Sequence, residues 1–186
     1  ADDPTRALRA VRYEARLGFK LQATTVKDIQ RDCVHFDAVS PARILADIRY
    51  ILGESQRVDA LTRAEELGIL GCISPALRIP RRSLQAIRET PTREPVFHVA
   101  LIGARLTKAE ATTLIDRIEP PADWREVLLA GTKYQEIASV LERSDLRPSE
   151  IADLLEGFSP LSLEAQLQLA PATRQKAALR SWLKEL

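Results

Sequence analysis

Apolar residues recur three and four positions apart along most of the chain, and glycine, proline and serine fill the intervals between those runs. Leu8, Val11, Ala15 and Leu17 predict a first helix, with Gly18 placed as its C-cap. Thr24 or Thr25 starts a second, which runs through Ile29 towards Val34. Ser40 and Pro41 open a third, in which Ile44, Leu45, Ile48, Ile51 and Leu52 form the apolar face and Gly53 is the stop. Val58, Leu61, Ala64 and Leu67 repeat the design as far as Gly68. Further on, the turn signals Ser74-Pro75, Pro80, Pro91, Pro95, Pro120-Pro121, Arg147-Pro148 and Ser159-Pro160 punctuate more segments of helical length. The stretch from Val96 to Ile102 is apolar without a clear period, and its continuation into Gly103, Ala104 and Leu106 favours helix over strand. No alternating run marks a sheet, and the segments do not repeat at a fixed length. The predicted fold class is therefore all-α, an irregular multi-helix array rather than a solenoid.

With 186 residues, 45% of them hydrophobic, the chain can bury one good core or two small adjoining ones. A formal net charge of +1 gives no whole-surface attraction for polyanions, so nucleic-acid contacts must come from local patches. The clearest patch is RIPRRSLQAIRETPTR, from Arg78 to Arg93. It divides the chain into an N-terminal helical unit, 1–77, and a C-terminal one, 78–186. Arg78, Arg81, Arg82, Arg88 and Arg93 are candidates for RNA phosphates; the alternative for the same residues is a solvated linker. Cys33 and Cys72 are far apart with no metal-ligand spacing, and a reduced thiol pair is expected. His35 and His98 are too isolated for a metal or phosphohydrolase site and are expected to be structural. Ser74 and Ser159, each before a proline, are expected to cap helices, and Trp124, Tyr134 and Trp182 to line the core or a groove. No apolar run is long enough to span a membrane.

The opening, DDPTRALRAVRYEARLGF, carries the most chemistry. Asp3 before Pro4 is a good helix start, and Arg6, Arg9 and Arg12 follow along one face. Capping and a solvated arginine face account for these residues by themselves. The stretch also resembles the nucleobase-selecting motif that follows the catalytic head in bacterial class II tRNA nucleotidyltransferases and poly(A) polymerases: an acidic pair, two residues and an arginine. SPARILADIRYIL and AEELGILGCISPAL resemble the RNA-binding neck and body helices of that family, and LRPSEIADLLEGFSPLSLEA resembles a later part. The resemblance covers about two thirds of the chain in patches and is faintest from Arg93 to Leu141. It implies that Asp3 and Arg6 recognise the base, supported by Asp2, Arg9 and Arg12. Asp2 stands where the family usually has glutamate.

The chemistry of such a pair is direct. Cytosine and adenine present an amino donor beside a ring-nitrogen acceptor, whereas uracil and guanine present the opposite polarity. A carboxylate at Asp3 accepts from the amino group while the Arg6 guanidinium donates to the ring nitrogen. The wrong base leaves polar groups unpaired, at about 1–3 kcal/mol each.

The resemblance further implies substrates ATP and CTP, a tRNA partner, a cytoplasmic setting and Mg2+ held by paired aspartates in a head domain. Neither the glycine-rich turn nor the Asp-x-Asp pair of such a head occurs in the sequence, and the chain has no methionine. The expectation is a neck-and-body piece of a larger enzyme, without cofactor or catalytic residues of its own and inactive alone. The rival expectation is a non-enzymatic helical module that binds other proteins.

Overall fold

The computed structural model describes residues 3–91, 93–171 and 173–185. Helices form where the periodicity places them, and no strand occurs among the described residues. The first is α1 (Arg6–Leu17), which ends at Gly18 with φ 70°, the left-handed conformation that lets its amide reach the Glu14 carbonyl at 3.0 Å. Then come α2 (Ala23–Asp32), continued by a 3-10 turn over Cys33–Ala38, α3 (Pro41–Gly53), α4 (Arg57–Glu66), α5 (Ile69–Ile73) and α6 (Arg81–Glu89). The second half holds α7 (Pro95–Gly103), α8 (Lys108–Ile118), α9 (Ala122–Ala138), α10 (Pro148–Leu155), α11 (Pro160–Leu169) and α12 (Arg174–Glu185).

Local chemistry sets several of the boundaries. Thr107 and Glu110 close a reciprocal capping box on α8, the Thr107 amide donating to Glu110 Oε2 at 2.8 Å and the Glu110 amide to Thr107 Oγ1 at 3.3 Å. Helix α7 had no readable period because it is buried on every side: Phe97 through Gly103 are all buried. Ser74 differs from expectation, since it ends α5 instead of starting a helix, and its hydroxyl accepts from the Ala76 amide at 3.3 Å in the turn that follows. Ser159 does precede α11, with its hydroxyl on that of Ser162 at 2.9 Å.

The packing forms two cores. The larger runs from Ala7 through Leu128, with Ala165 and Leu169 added from α11, and includes Leu77 and Ile79 on either side of Arg78. The smaller gathers Tyr134, Leu141, Leu155, Leu163, Ala170, Ala178 and Leu179, with Trp182 half-buried against it. Helix α9 belongs to both, contributing Trp124, Val127 and Leu128 to one and Tyr134 to the other. The basic segment is a packed amphipathic helix and not a solvated linker: Ser83, Ala86 and Ile87 of α6 are buried, and the Ser83 hydroxyl donates to the Leu101 carbonyl at 2.7 Å.

The cysteines correct a sequence expectation. Cys33, at the end of α2, and Cys72, in α5, are joined as a disulfide, with Cα atoms 5.9 Å apart. Their separation of 39 residues hid the pairing, because only the docking of α5 on the 3-10 turn brings them together.

Candidate functional site

Helix α1 lies across α3 and α4, and its N-terminal end opens onto α2. Backbone geometry there is tighter than the sequence suggests: the Arg6 amide donates to the Asp3 carbonyl at 3.0 Å, so a turn over Asp3 to Arg6 leads into the helix and Thr5, not Asp3, directly precedes it. Thr5 is fully buried. Its amide and hydroxyl both donate to Asp3 Oδ1, at 3.1 and 2.8 Å, while Arg43 of α3 donates to Asp3 Oδ2. Burial pushes the Asp3 carboxyl upward, yet the Thr5 donors and the charges of Arg43 and Arg9 outweigh it and hold the group below its ordinary range. Asp3 is thus a fixed, ionised acceptor, and a carboxylate has about four lone-pair sites for donors.

Arg6 is exposed and lines the same cleft as Asp3. The cleft, about 270 Å3, has Pro4, Ala7 and Ala10 of the α1 segment on one side and Thr25, Asp28, Ile29 and Asp32 of α2 on the other. Asp3, Arg6 and an apolar floor therefore meet at one opening, with the carboxyl groups of Asp28 and Asp32 on its α2 side. Asp2 lies outside the described residues.

The other two arginines of the face pair with acids of α3 and its C-terminal end, Arg12 largely buried and Arg9 still half exposed. Arg9 Nε is 3.5 Å from Oδ1 of the buried Asp47, and Arg12 Nη1 is 3.0 Å from Glu54 Oε1 with its guanidinium over the rings of Tyr13 and Tyr50. Both brace α1 against α3. Asp47 titrates in the opposite sense to Asp3: burial raises it, and Arg9 and Arg12 only partly offset that. A raised carboxylate pKa means that the folded state binds the proton more tightly than the unfolded chain. Stability from this group is highest below the ordinary Asp value of about 3.9 and declines as pH rises through the folded value. Asp47→Asn removes that decline, so the wild type is expected to lose stability relative to the variant across the pH range above the ordinary Asp value of about 3.9. Urea unfolding of both proteins across that range measures the difference.

The five arginines of the basic segment do not form one surface. Arg82 donates to the Ala170 carbonyl at 2.8 Å and Arg93 pairs with Glu164, tying α6 and the start of α7 to α11. Arg88 faces Asp59 at 3.5 Å, Arg78 lines a separate cleft with Glu110, and Arg81 is exposed at the start of α6. His98 is buried, its Nε2 3.0 Å from the Thr90 carbonyl, and burial together with Arg57 and Arg93 keeps it below the usual imidazole range. Trp124 and Tyr134 are core residues. No group of three or more His, Cys, Asp or Glu able to hold a metal occurs among the described residues. Sequence reasoning missed Arg43, the α2 wall of the cleft and the buried Arg57; a lone arginine in an amphipathic helix carries no local mark of its partner.

No family model matches the chain. An A-adding tRNA nucleotidyltransferase of Geobacter sulfurreducens is 28% identical over 96% of this chain, and a multifunctional CCA protein of Xanthomonas campestris 27% identical over 97%. The chain spans 22% and 55% of those proteins' lengths. A probable phosphoglycerate mutase GpmB of Escherichia fergusonii is 29% identical over a shorter stretch, 70% of this chain. Among solved structures, a CCA-adding enzyme with ATP superposes with a TM-score of 0.74 and the Thermotoga maritima CCA-adding enzyme with tRNA with 0.72. Each is 16% identical and covers 99% of this chain and 48% of the other. These likenesses establish the fold.

Proposed function

We infer that this chain, a relative of the tRNA nucleotidyltransferases in sequence and fold, is the neck-and-body region of such an enzyme and supplies base selection and a grip on tRNA. The observation that carries the reading is the juxtaposition of Asp3 and Arg6 on one open cleft, with the Asp3 carboxylate held ionised by Thr5 and Arg43. An incoming ATP or CTP offers its amino group to Asp3 and its ring nitrogen to Arg6; UTP and GTP meet acceptor with acceptor and donor with donor. Thr5 and Arg43 are positioning residues here, since they fix the carboxylate before the base arrives. Arg9 and Arg12 act one step further back, fixing α1 on α3 so that Arg6 projects from a rigid helix.

Phosphoryl transfer itself needs metal-held triphosphate and an in-line hydroxyl. Such enzymes place that chemistry in a head domain with Mg2+, and we assign this chain no catalytic residue. The 186 residues alone are expected to add no nucleotide to tRNA. The parent reaction, in a bacterial cytoplasm, extends tRNA 3' ends with CCA or A.

A protein-interaction module is the competing reading, and tRNA binding separates the two. Titrated with tRNA at 50–200 mM salt, the chain is expected to bind with a log–log salt slope that reports several released counterions, about 0.9 per phosphate contacted. Binding no tighter than that of an unrelated helical protein, with no salt slope, would remove the RNA reading.

A further inference from the structure

Arg57 stands at the start of α4 and is 8% exposed, yet no carboxylate among the described residues pairs with it. Its Nη1 donates to the Pro91 carbonyl at 2.7 Å, and its Nε is buried with no hydrogen-bond partner. A neutral carbonyl does not balance a buried guanidinium, and a charge removed from water without a counter-charge is costly. The neighbourhood does not balance it either. His98 is buried behind it, and Arg93 already pairs with Glu164.

Arg57 forms part of the wall of a cleft of about 390 Å3, shared with Ser55, Gln56, Val58, Asp59, Ile87, Arg88 and Pro91. Arg88 reaches in from α6, its guanidinium 3.5 Å from Asp59, both groups well exposed. No side chain caps α4, so the first amides of that helix add their partial positive charge to the same end. Two guanidiniums, the Gln56 side-chain amide and a helix start thus converge, against one carboxylate on the rim; the Ser55 hydroxyl donates to Gln56 Oε1 at 2.7 Å. The chemistry that completes this arrangement is an oxyanion with several acceptor oxygens.

We propose that the cleft between the start of α4 and α6 binds a phosphate of the RNA backbone, with Arg57 as its buried anchor and Arg88 as its outer donor. The RNA half of this statement rests on the reading of the chain as tRNA-binding; the anion half rests on the buried guanidinium alone. A backbone phosphate held here carries no sequence information, and it fixes where the strand crosses α4 and α6.

The test has two arms on the 186-residue chain. In the first, tRNA affinity is measured across salt for the wild type, Arg57→Gln, Arg88→Ala and the control Arg143→Ala, which removes an exposed charge in the 143–147 loop. Arg57→Gln is expected to weaken binding about tenfold and to make the salt slope shallower by about one, Arg88→Ala to act in the same direction, and the control to do neither. In the second, inorganic phosphate at constant ionic strength is expected to raise the melting temperature of the wild type and not that of Arg57→Gln. Arg88→Ala, on an exposed residue, keeps both arms decisive if the buried substitution unfolds. Unchanged affinity and slope in folded variants, or stabilisation by inorganic phosphate without any effect on tRNA, would overturn the RNA-phosphate site. Failure of the wild type to bind tRNA would instead remove the RNA reading of the whole chain and leave the phosphate arm to judge the anion site.

Discussion

Arg6→Ala, placed in the full-length enzyme inferred above, is expected to cut discrimination of ATP and CTP against UTP and GTP by about 5- to 150-fold, the equivalent of one polar pairing at about 1–3 kcal/mol. The loss should appear in ratios of kcat/KM between nucleotides, because the interaction is differential between bases and not shared by all of them. Stability is expected to change by less than about 0.5 kcal/mol, since Arg6 is exposed. Asp3→Ala should lower discrimination as much and also destabilise the start of α1, because Thr5, fully buried, and Arg43 lose their acceptor. Arg43→Ala separates the two effects: it leaves both proposed base-reading groups in place while releasing Asp3 Oδ2, so selectivity should fall less than with either direct substitution. Undiminished selectivity in the Asp3→Ala, Arg6→Ala double variant would end the assignment.

Much of this architecture was legible because it is local. Gly18 ends α1 in the left-handed conformation a glycine permits, Ser40 and Pro41 start α3, and the apolar faces of α3 and α4 fall on the buried sides of those helices. Helix α7 was the ambiguous one for a physical reason, since a segment buried all round has no polar face to set a period. Pairings across the fold were not legible. Asp3 meets Arg43, Arg12 meets Glu54, and Cys33 meets Cys72, at sequence separations of 40, 42 and 39 residues, and each depends on how α1, α3 and α5 dock. Exposed arginines and braced arginines have the same spacing in the sequence, so only packing distinguishes Arg6, on the cleft, from Arg12, half-buried beneath two tyrosines. The proposed base-reading pair was visible through the motif, whereas the α2 wall of the cleft that it lines was not.

The second large effect is mechanical and centres on Gly131. Helices α7 and α9 cross at Gly103 and Gly131, where a Cβ built on Gly131 would lie 3.0 Å from the Gly103 carbonyl oxygen and 3.2 Å from Ala104 Cα. Both obstacles are backbone, so neither can rotate away, and the helices must separate to admit even a methyl group. Gly131→Ala is expected to cost about 1–3 kcal/mol despite alanine's better helix propensity, and Gly131→Leu more. Each kcal/mol lowers the melting temperature by about 2–4 °C in a chain of this size. Gly53→Ala is the control, because a Cβ there meets nothing within 4 Å; it should be neutral or add up to about 1 kcal/mol. The consequence reaches beyond stability because α9 hands the chain from the larger core to the smaller just past this crossing. Gln135, one turn on, donates to the Ala104 and Leu106 carbonyls at 3.3 and 2.7 Å, and Arg82 reaches Ala170 of the smaller core. Forcing α9 outward strains these ties together, so Gly131→Ala should also raise hydrogen exchange at the amides of α11 and α12 while leaving those of α1 and α3 unchanged. Equal exchange in both halves, or no loss of stability, would show that the crossing relaxes without cost and that the two cores are not coupled through it.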